Sequence, residues 1–131
     1  MSNIVTGVLY EWVLDRVEAS NKLFGTKYIG QAVRVGTVHK IASKRWSEEI
    51  RQALHHRHRN VGFIAAIDFF GHDSFTKRII EYRTGERDSV VQPWADARER
   101  ALIHENGGPL RDMTPDVPIH QTFNILPGGK A

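Results

Sequence analysis

Between Val5 and Leu14, the residues Val8, Tyr10, Trp12 and Leu14 recur at every second position, the period of a strand with one buried face. A polar stretch from Arg16 to Thr26 follows, with Asn21 and Gly25 as turn formers, and predicts a long hairpin connection. Lys27 to Val33 reads as the returning strand. Gly30 interrupts it, so a bulge or a close approach to the backbone is expected there. The period then changes. From Ile41 to His56, the residues Trp46, Ile50, Ala53 and Leu54 recur at helical spacing, leaving Arg45, Glu49 and Gln52 on a neighbouring polar strip. Val61 to Phe70 is continuous enough for a buried strand. Phe63, Ile64, Ile67 and Phe70 also make a helical stripe that Gly71 would cap, and helix is the preferred reading.

Phe75 to Tyr82 predicts a third strand and Thr84 to Gln92 a charged loop. Pro93 suits the first turn of a last helix, Trp94 to about Glu105, which Asn106-Gly107-Gly108-Pro109 ends. Beyond it, Pro115, Pro118, Pro127, Gly128 and Gly129 read as an irregular tail pinned down by Phe123 and Ile125. The elements predict a small α/β domain of α+β type: a three-stranded, mainly antiparallel sheet flanked by three helices. With 131 residues, no internal repeat and no linker, the chain reads as one domain, residues 1–131.

Composition excludes several classes. No apolar run approaches the ~20 residues that span a bilayer, and Met1 to Thr6 lacks the basic start and apolar core of a secretion signal. The chain has no cysteine, which removes disulfides, thiolate zinc sites and a cysteine nucleophile and fits a reducing cytoplasm. Charge is unevenly spread. Residues 34–59 hold Arg34, Lys40, Lys44, Arg45, Arg51, Arg57 and Arg59 against only Glu48 and Glu49, while the flanking stretches are neutral or acidic. A segment of that kind attracts a polyphosphate backbone whatever its sequence, the other reading being a solvated helix face. His55, His56 and His58 share this segment, but with no cysteine to join them a structural zinc site is not expected.

Glu99 is the oddity of the last helix. It falls on one face with Ala95, Leu102 and Ile103, where a carboxylate must pair, take a proton or bind a cation. The pairing alternatives are Arg45 and Arg78.

Gly7-Val8-Leu9-Tyr10 followed by Lys27-Tyr28-Ile29-Gly30-Gln31 resembles the paired strands of the GIY-YIG nucleases. Lys44-Arg45-Trp46 resembles the arginine-bearing start of that family's first helix, and His58 matches a histidine of its phage homing members. Gly71 with Asp73, Ser74 and Phe75 is similar to the glycine turn before the third strand. Arg98 to Ile103 resembles the helix that carries the metal-binding glutamate, and Phe123-Asn124-Ile125 with Pro127-Gly128-Gly129 the closing asparagine segment. The likeness runs in order from Gly7 to Gly129. It departs from the family in a looser first triplet, in a longer hairpin, and in Glu49, which stands where several members have a histidine four residues after the arginine. A salt bridge from Glu49 to Arg45, one helical turn away, is one expectation for that substitution.

The resemblance implies a divalent-metal-dependent endonuclease acting on nucleic acid, with double-stranded DNA the expected substrate. It implies the catalytic set Tyr10, Tyr28, Arg45, His58, Glu99 and Asn124, with Mg²⁺ or Mn²⁺ held by Glu99. Tyr10 would orient or deprotonate the water, and Tyr28 would bind phosphate or hold Tyr10. Arg45 would bridge two phosphate oxygens with its planar fork, and His58 would contact phosphate or carry a proton. Asn124 would clamp the Glu99 helix. Arg34, Lys40, Lys44, Arg51, Arg57 and Arg59 are the expected nucleic-acid-binding residues. Tyrosine has an ordinary pKa of about 10, so a base role for Tyr10 requires positive charge nearby, from Arg45 and the metal.

One site per domain cuts one strand, so double-strand cleavage is expected to need a homodimer or re-binding; a targeting partner protein is a further expectation. The setting could be a homing or phage enzyme, a restriction-like dimer or a nuclease toxin. A catalytically silent nucleic-acid-binding module on the same fold is the rival class. A small-molecule enzyme is weaker, because Gly107-Gly108 and Gly128-Gly129 lack the spacing of a phosphate-cradling loop.

Overall fold

The computed structural model describes residues 4–109 and 121–124. Three strands, β1 (Ile4–Leu14), β2 (Lys27–Arg34) and β3 (Phe75–Arg87), form one sheet in the order β2-β1-β3, with both pairings antiparallel. Helices α1 (Val38–Leu54) and α2 (Val61–Phe70) pack on one face, and α3 (Asp88–Glu105) on the other. This is the α+β arrangement that the periodicity predicts.

The central place of β1 explains its composition. Every residue from Val5 to Leu14 is buried, so both faces of the strand must be matched by helices. Tyr10, Trp12 and Leu14 join Phe63, Ile67 and Phe75 in the cluster under α1 and α2. Leu9 faces the other way and packs with Ile29, Ala95, Leu102 and Ile103 under α3. The segment read as ambiguous, Val61–Phe70, is a helix, and Gly71 ends it at φ 84°, a conformation open to glycine.

Three boundaries differ most from expectation: the end of β3 and the starts of α3 and α1. The stretch read as a charged loop, 84–92, is instead the end of β3 and the opening of α3. Pro93 therefore lies inside the helix rather than in its first turn. What holds the extra turn is tertiary. Val91 is fully buried against Gly7, where an added Cβ would lie 2.6 Å from Val91 Cγ1. Burying that valine stabilises the turn by about 1.5–3 kcal/mol, enough to offset much of the cost of a proline in a helix. Helix α1 also begins earlier than Ile41, with Thr37 extended at its N-cap.

Part of the tail is docked. Thr122 forms an isolated parallel bridge with Lys27, and the Phe123 amide donates to the Lys27 carbonyl at 2.8 Å. Phe123 is fully buried beside Phe75. The expected anchor Ile125 and the residues Pro115, Pro118, Pro127, Gly128 and Gly129 lie outside the described residues. Phe123→Ala should cost roughly 3–5 kcal/mol in urea unfolding, the range for deleting a buried aromatic. A loss below about 1 kcal/mol would mean that the tail does not dock here.

Candidate functional site

Tyr10, Tyr28, Arg45, His58, Glu99 and Asn124 come from six separate stretches of chain, yet all line one cavity of about 430 Å³. The topology makes this possible. β2 is an edge strand, so a depression can pass over it from the α1 side to the α3 side, and Gly30, Gln31 and Ala32 form its floor. In register, Tyr10 lies opposite Gly30, and Trp12 opposite Tyr28. Gly30 is required by the neighbouring phenol: an added Cβ would lie 2.5 Å from Tyr10 Oη. Of the two readings of Gly30, close approach is the correct one, and Tyr10 is the group that approaches.

Behind this floor lies a carboxylate with no solvent exposure. Glu49, expected on a polar strip, is completely buried. Its principal partner is His58, with Nε2 2.8 Å from Glu49 Oε2, whereas Arg45 Nη2 is 3.8 Å away. The histidine is therefore the main answer to the buried charge, and the expected salt bridge to Arg45 is a longer, secondary contact. The Asn60 amide donates to His58 Nδ1 at 3.1 Å, which assigns the ring proton to Nε2 and makes His58 a donor to Glu49. Tyr28 Oη lies 3.4 Å from the same Nε2. His58 thus lines the cavity with its nitrogens already committed inward. His55 and His56 are exposed, and His56 contacts Asp68 at 3.0 Å.

The two phenols are poor bases in this setting. Burial raises the Tyr10 pKa well above the ordinary value of 10.0, and the charge of Glu49 raises it further, against a smaller lowering by Arg45. Tyr28 is raised for the same leading reasons, with Glu99 also contributing. The positive surroundings expected for Tyr10 are outweighed. Tyr10 Oη and Glu49 Oε1 have no hydrogen-bond partner of good geometry, although each phenol senses Glu49 electrostatically. Burial disfavours the charge on Arg45, but the neighbouring Glu49 carboxylate favours it and the guanidinium stays charged. Its Nη1 contacts Gln52 Oε1 at 3.4 Å and Glu48 Oε1 at 3.5 Å.

Asn124 has a different job from the one expected. Its Oδ1 accepts from the Ile29 amide at 2.9 Å and its Nδ2 donates to the Ile29 carbonyl at 2.7 Å, so the side chain acts as a strand partner for the open edge of β2. It clamps β2, and Thr122 supplies the link toward α3 by bonding the Gly108 carbonyl. Glu99 is half-buried at the cavity wall, with Asp96 one turn before it on the same wall. The alternative partner Arg78 pairs instead with Glu11 at 3.1 Å.

The basic residues do not form one patch. Arg34, Arg57 and Arg59 line the cavity, Arg34 in a two-pronged pair with Glu48 that lowers the Glu48 pKa. Lys40 and Lys44 lie in a separate shallow groove on α1, and Arg51 is exposed on the same helix.

Among the described residues, no group of three or more His, Asp or Glu side chains could hold a metal ion. A magnesium ion does not need one. It keeps most of its waters and takes one or two carboxylates, which Glu99 and Asp96 could supply from the wall of a cavity roomy enough for water. Sequence reasoning missed Gln31, Gln92 and Asp96, whose side chains bond one another at 2.8–3.0 Å along this wall. Gln92 and Asp96 are one helical turn apart, but Gln31, 61 and 65 residues away from them, has no spacing that could have linked it.

Replacing His58 by Leu leaves Glu49 buried without its nearest donor and should destabilise by about 3–5 kcal/mol in denaturant unfolding. The raised phenols also set an alkaline limit. The unfolded chain loses phenolic protons above pH 10 while native Tyr10 and Tyr28 keep theirs, so their contribution is full below pH 10 and is lost as pH rises toward the folded values. Unfolding free energy should therefore fall above pH 10, and the fall should shrink in Tyr10→Phe.

No helix among the described residues is long and apolar enough to cross a membrane. No family model, no curated protein and no solved structure matches this chain.

Proposed function

We propose that this chain is a divalent-metal-dependent endonuclease of the GIY-YIG type, hydrolysing nucleic-acid phosphodiester bonds, with double-stranded DNA as substrate. The observation that carries the reading is the convergence of six ordered motif residues on one cavity. A chance likeness of motifs would have no reason to assemble Tyr10, Arg45 and Glu99 around the same space.

The chemistry follows from where the groups lie. Arg57 and Arg59 are exposed at the cavity and attract the backbone. Arg45, charged and three-quarters enclosed, offers its fork to two phosphate oxygens as negative charge builds there. Glu99, with Asp96 beside it, would hold Mg²⁺ or Mn²⁺. When bound, that ion supplies polarisation of the phosphate and stabilisation of the leaving 3′ oxygen. Tyr10 and Tyr28 line the floor as neutral phenols and orient water and phosphate by hydrogen bonds. One such cavity cuts one strand at a time, so double-strand cleavage would take a second copy or re-binding.

One observation favours a second reading, a nucleic-acid-binding module without cleavage: Tyr10 has no solvent exposure. That module would bind DNA with steep salt dependence and leave it intact.

A supercoiled-plasmid assay separates the two. The endonuclease nicks in Mg²⁺, stops in EDTA, and in Glu99→Gln loses on the order of 100-fold or more in rate, the scale for removing one charge-stabilising group. Binding without nicking in any divalent metal would leave only the second reading.

A further inference from the structure

Glu49 is absorbed by none of the roles above. It does not line the cavity and has no exposure. His58 fixes one of its oxygens, Oε2, by an N–H that the Asn60 amide orients from the other side of the ring. The other oxygen, Oε1, has no hydrogen-bond partner. Tyr10 Oη is also fully buried and makes no hydrogen bond of good geometry, although Glu49 and Arg45 both lie close enough to act on it. Two complementary groups, an acceptor and a hydroxyl donor, are thus left open within electrostatic reach of each other. Buried polar atoms are rarely left so; the Trp12 and Trp46 indole nitrogens share the condition, but among these four atoms only the carboxylate oxygen and the phenol can exchange a proton.

We propose that Glu49 is the terminal proton acceptor of this site, reached through Tyr10. The step rests on the nuclease reading above. As the attacking water forms its bond to phosphorus, one water O–H bond breaks and its proton goes to Tyr10 Oη. The Tyr10 Oη–H bond breaks in the same event, and that proton goes to Glu49 Oε1. The leaving 3′ oxygen departs with the electron pair of the broken P–O bond and takes a proton from solvent. Tyr10 begins and ends as a neutral phenol, so no buried phenolate has to form. This removes the difficulty that the enclosed, Glu49-facing phenol poses for direct base action.

The titratable groups that contact or sense Glu49 include Tyr10 from β1, Tyr28 from β2, Arg45 from its own helix, and His58 from the connection after it. Their arrangement gives the histidine a positioning task. It holds the carboxylate so that Oε1 remains open toward the phenol.

The test uses the full chain with Glu49→Gln, Tyr10→Phe, the double variant and Glu99→Gln, each first shown by its thermal melt to be folded. The readouts are single-turnover plasmid nicking in Mg²⁺ and DNA affinity in Ca²⁺. The expected result is that Glu49→Gln and Tyr10→Phe each lose on the order of 100-fold or more in rate with affinity unchanged, and that the double variant is no slower than the worse single. Multiplicative losses, or a Glu49→Gln rate within about threefold of wild type while Glu99→Gln is inactive, would overturn the relay and leave the nuclease reading standing. A wild-type chain that never nicks removes both.

A second measurement does not depend on cleavage. In Glu49→Gln, loss of the neighbouring charge should let a buried phenol ionise at lower pH, read by ultraviolet difference spectroscopy against Tyr10→Phe. No change in phenol ionisation would show that the two groups do not sense each other, and would overturn the relay by itself.

Discussion

Glu49 carries a carboxylate that no solvent reaches, and a charge in that position has to be answered from within the protein. The answer is distributed. A histidine beyond the end of α1 donates at 2.8 Å, an arginine one turn back approaches at 3.8 Å, and two strand phenols enclose the remainder. None of these groups could be moved far without exposing the others to an unanswered charge. The interior of the α1 face is therefore a polar network set inside an aromatic shell of Trp12, Phe63 and Phe75. Such networks are demanding, because a partly satisfied one is worse than an apolar core. Among the described residues, four buried side-chain atoms here remain unsatisfied: Tyr10 Oη, Glu49 Oε1 and the indole nitrogens of Trp12 and Trp46.

The edge of β2 presents the second constraint. An open edge invites pairing with another chain. In this fold Asn124 occupies it at Ile29, using a side-chain amide in place of a backbone strand partner. Farther along the same strand, from Gly30 to Arg34, the edge is the floor of the cavity. Asn124 thus covers the edge at Ile29, next to the part of β2 that lines the cavity. The two glycines of the strand motifs serve related ends: Gly7 lets α3 come close on one face, and Gly30 lets Tyr10 lie flat on the other.

Much of this architecture was legible from residue order. Strand alternation around Tyr10 and Trp12, the helical stripe of Phe63, Ile64 and Ile67, and the glycine after Phe70 each express a local preference that the tertiary structure does not oppose. Where the reading failed, a distant contact had overridden the local signal. Pro93 argues for a helix start, yet burial of Val91 against Gly7 carries α3 back to Asp88. Glu49 argues for solvent, yet His58 makes its burial possible.

The sequence by itself determined the elements, their approximate limits and the identity of the six motif side chains, because periodicity and turn chemistry act over a few residues. Only the tertiary structure decided what those side chains do to one another. It turned Asn124 toward β2 rather than toward α3, closed His58 onto a carboxylate, and made Tyr10 a buried, neutral phenol. The physical reason is range. Hydrogen-bond partners separated by 95 residues, or a charge sensed through a dry interior, have no expression in local pattern and exist only once the chain has brought them together.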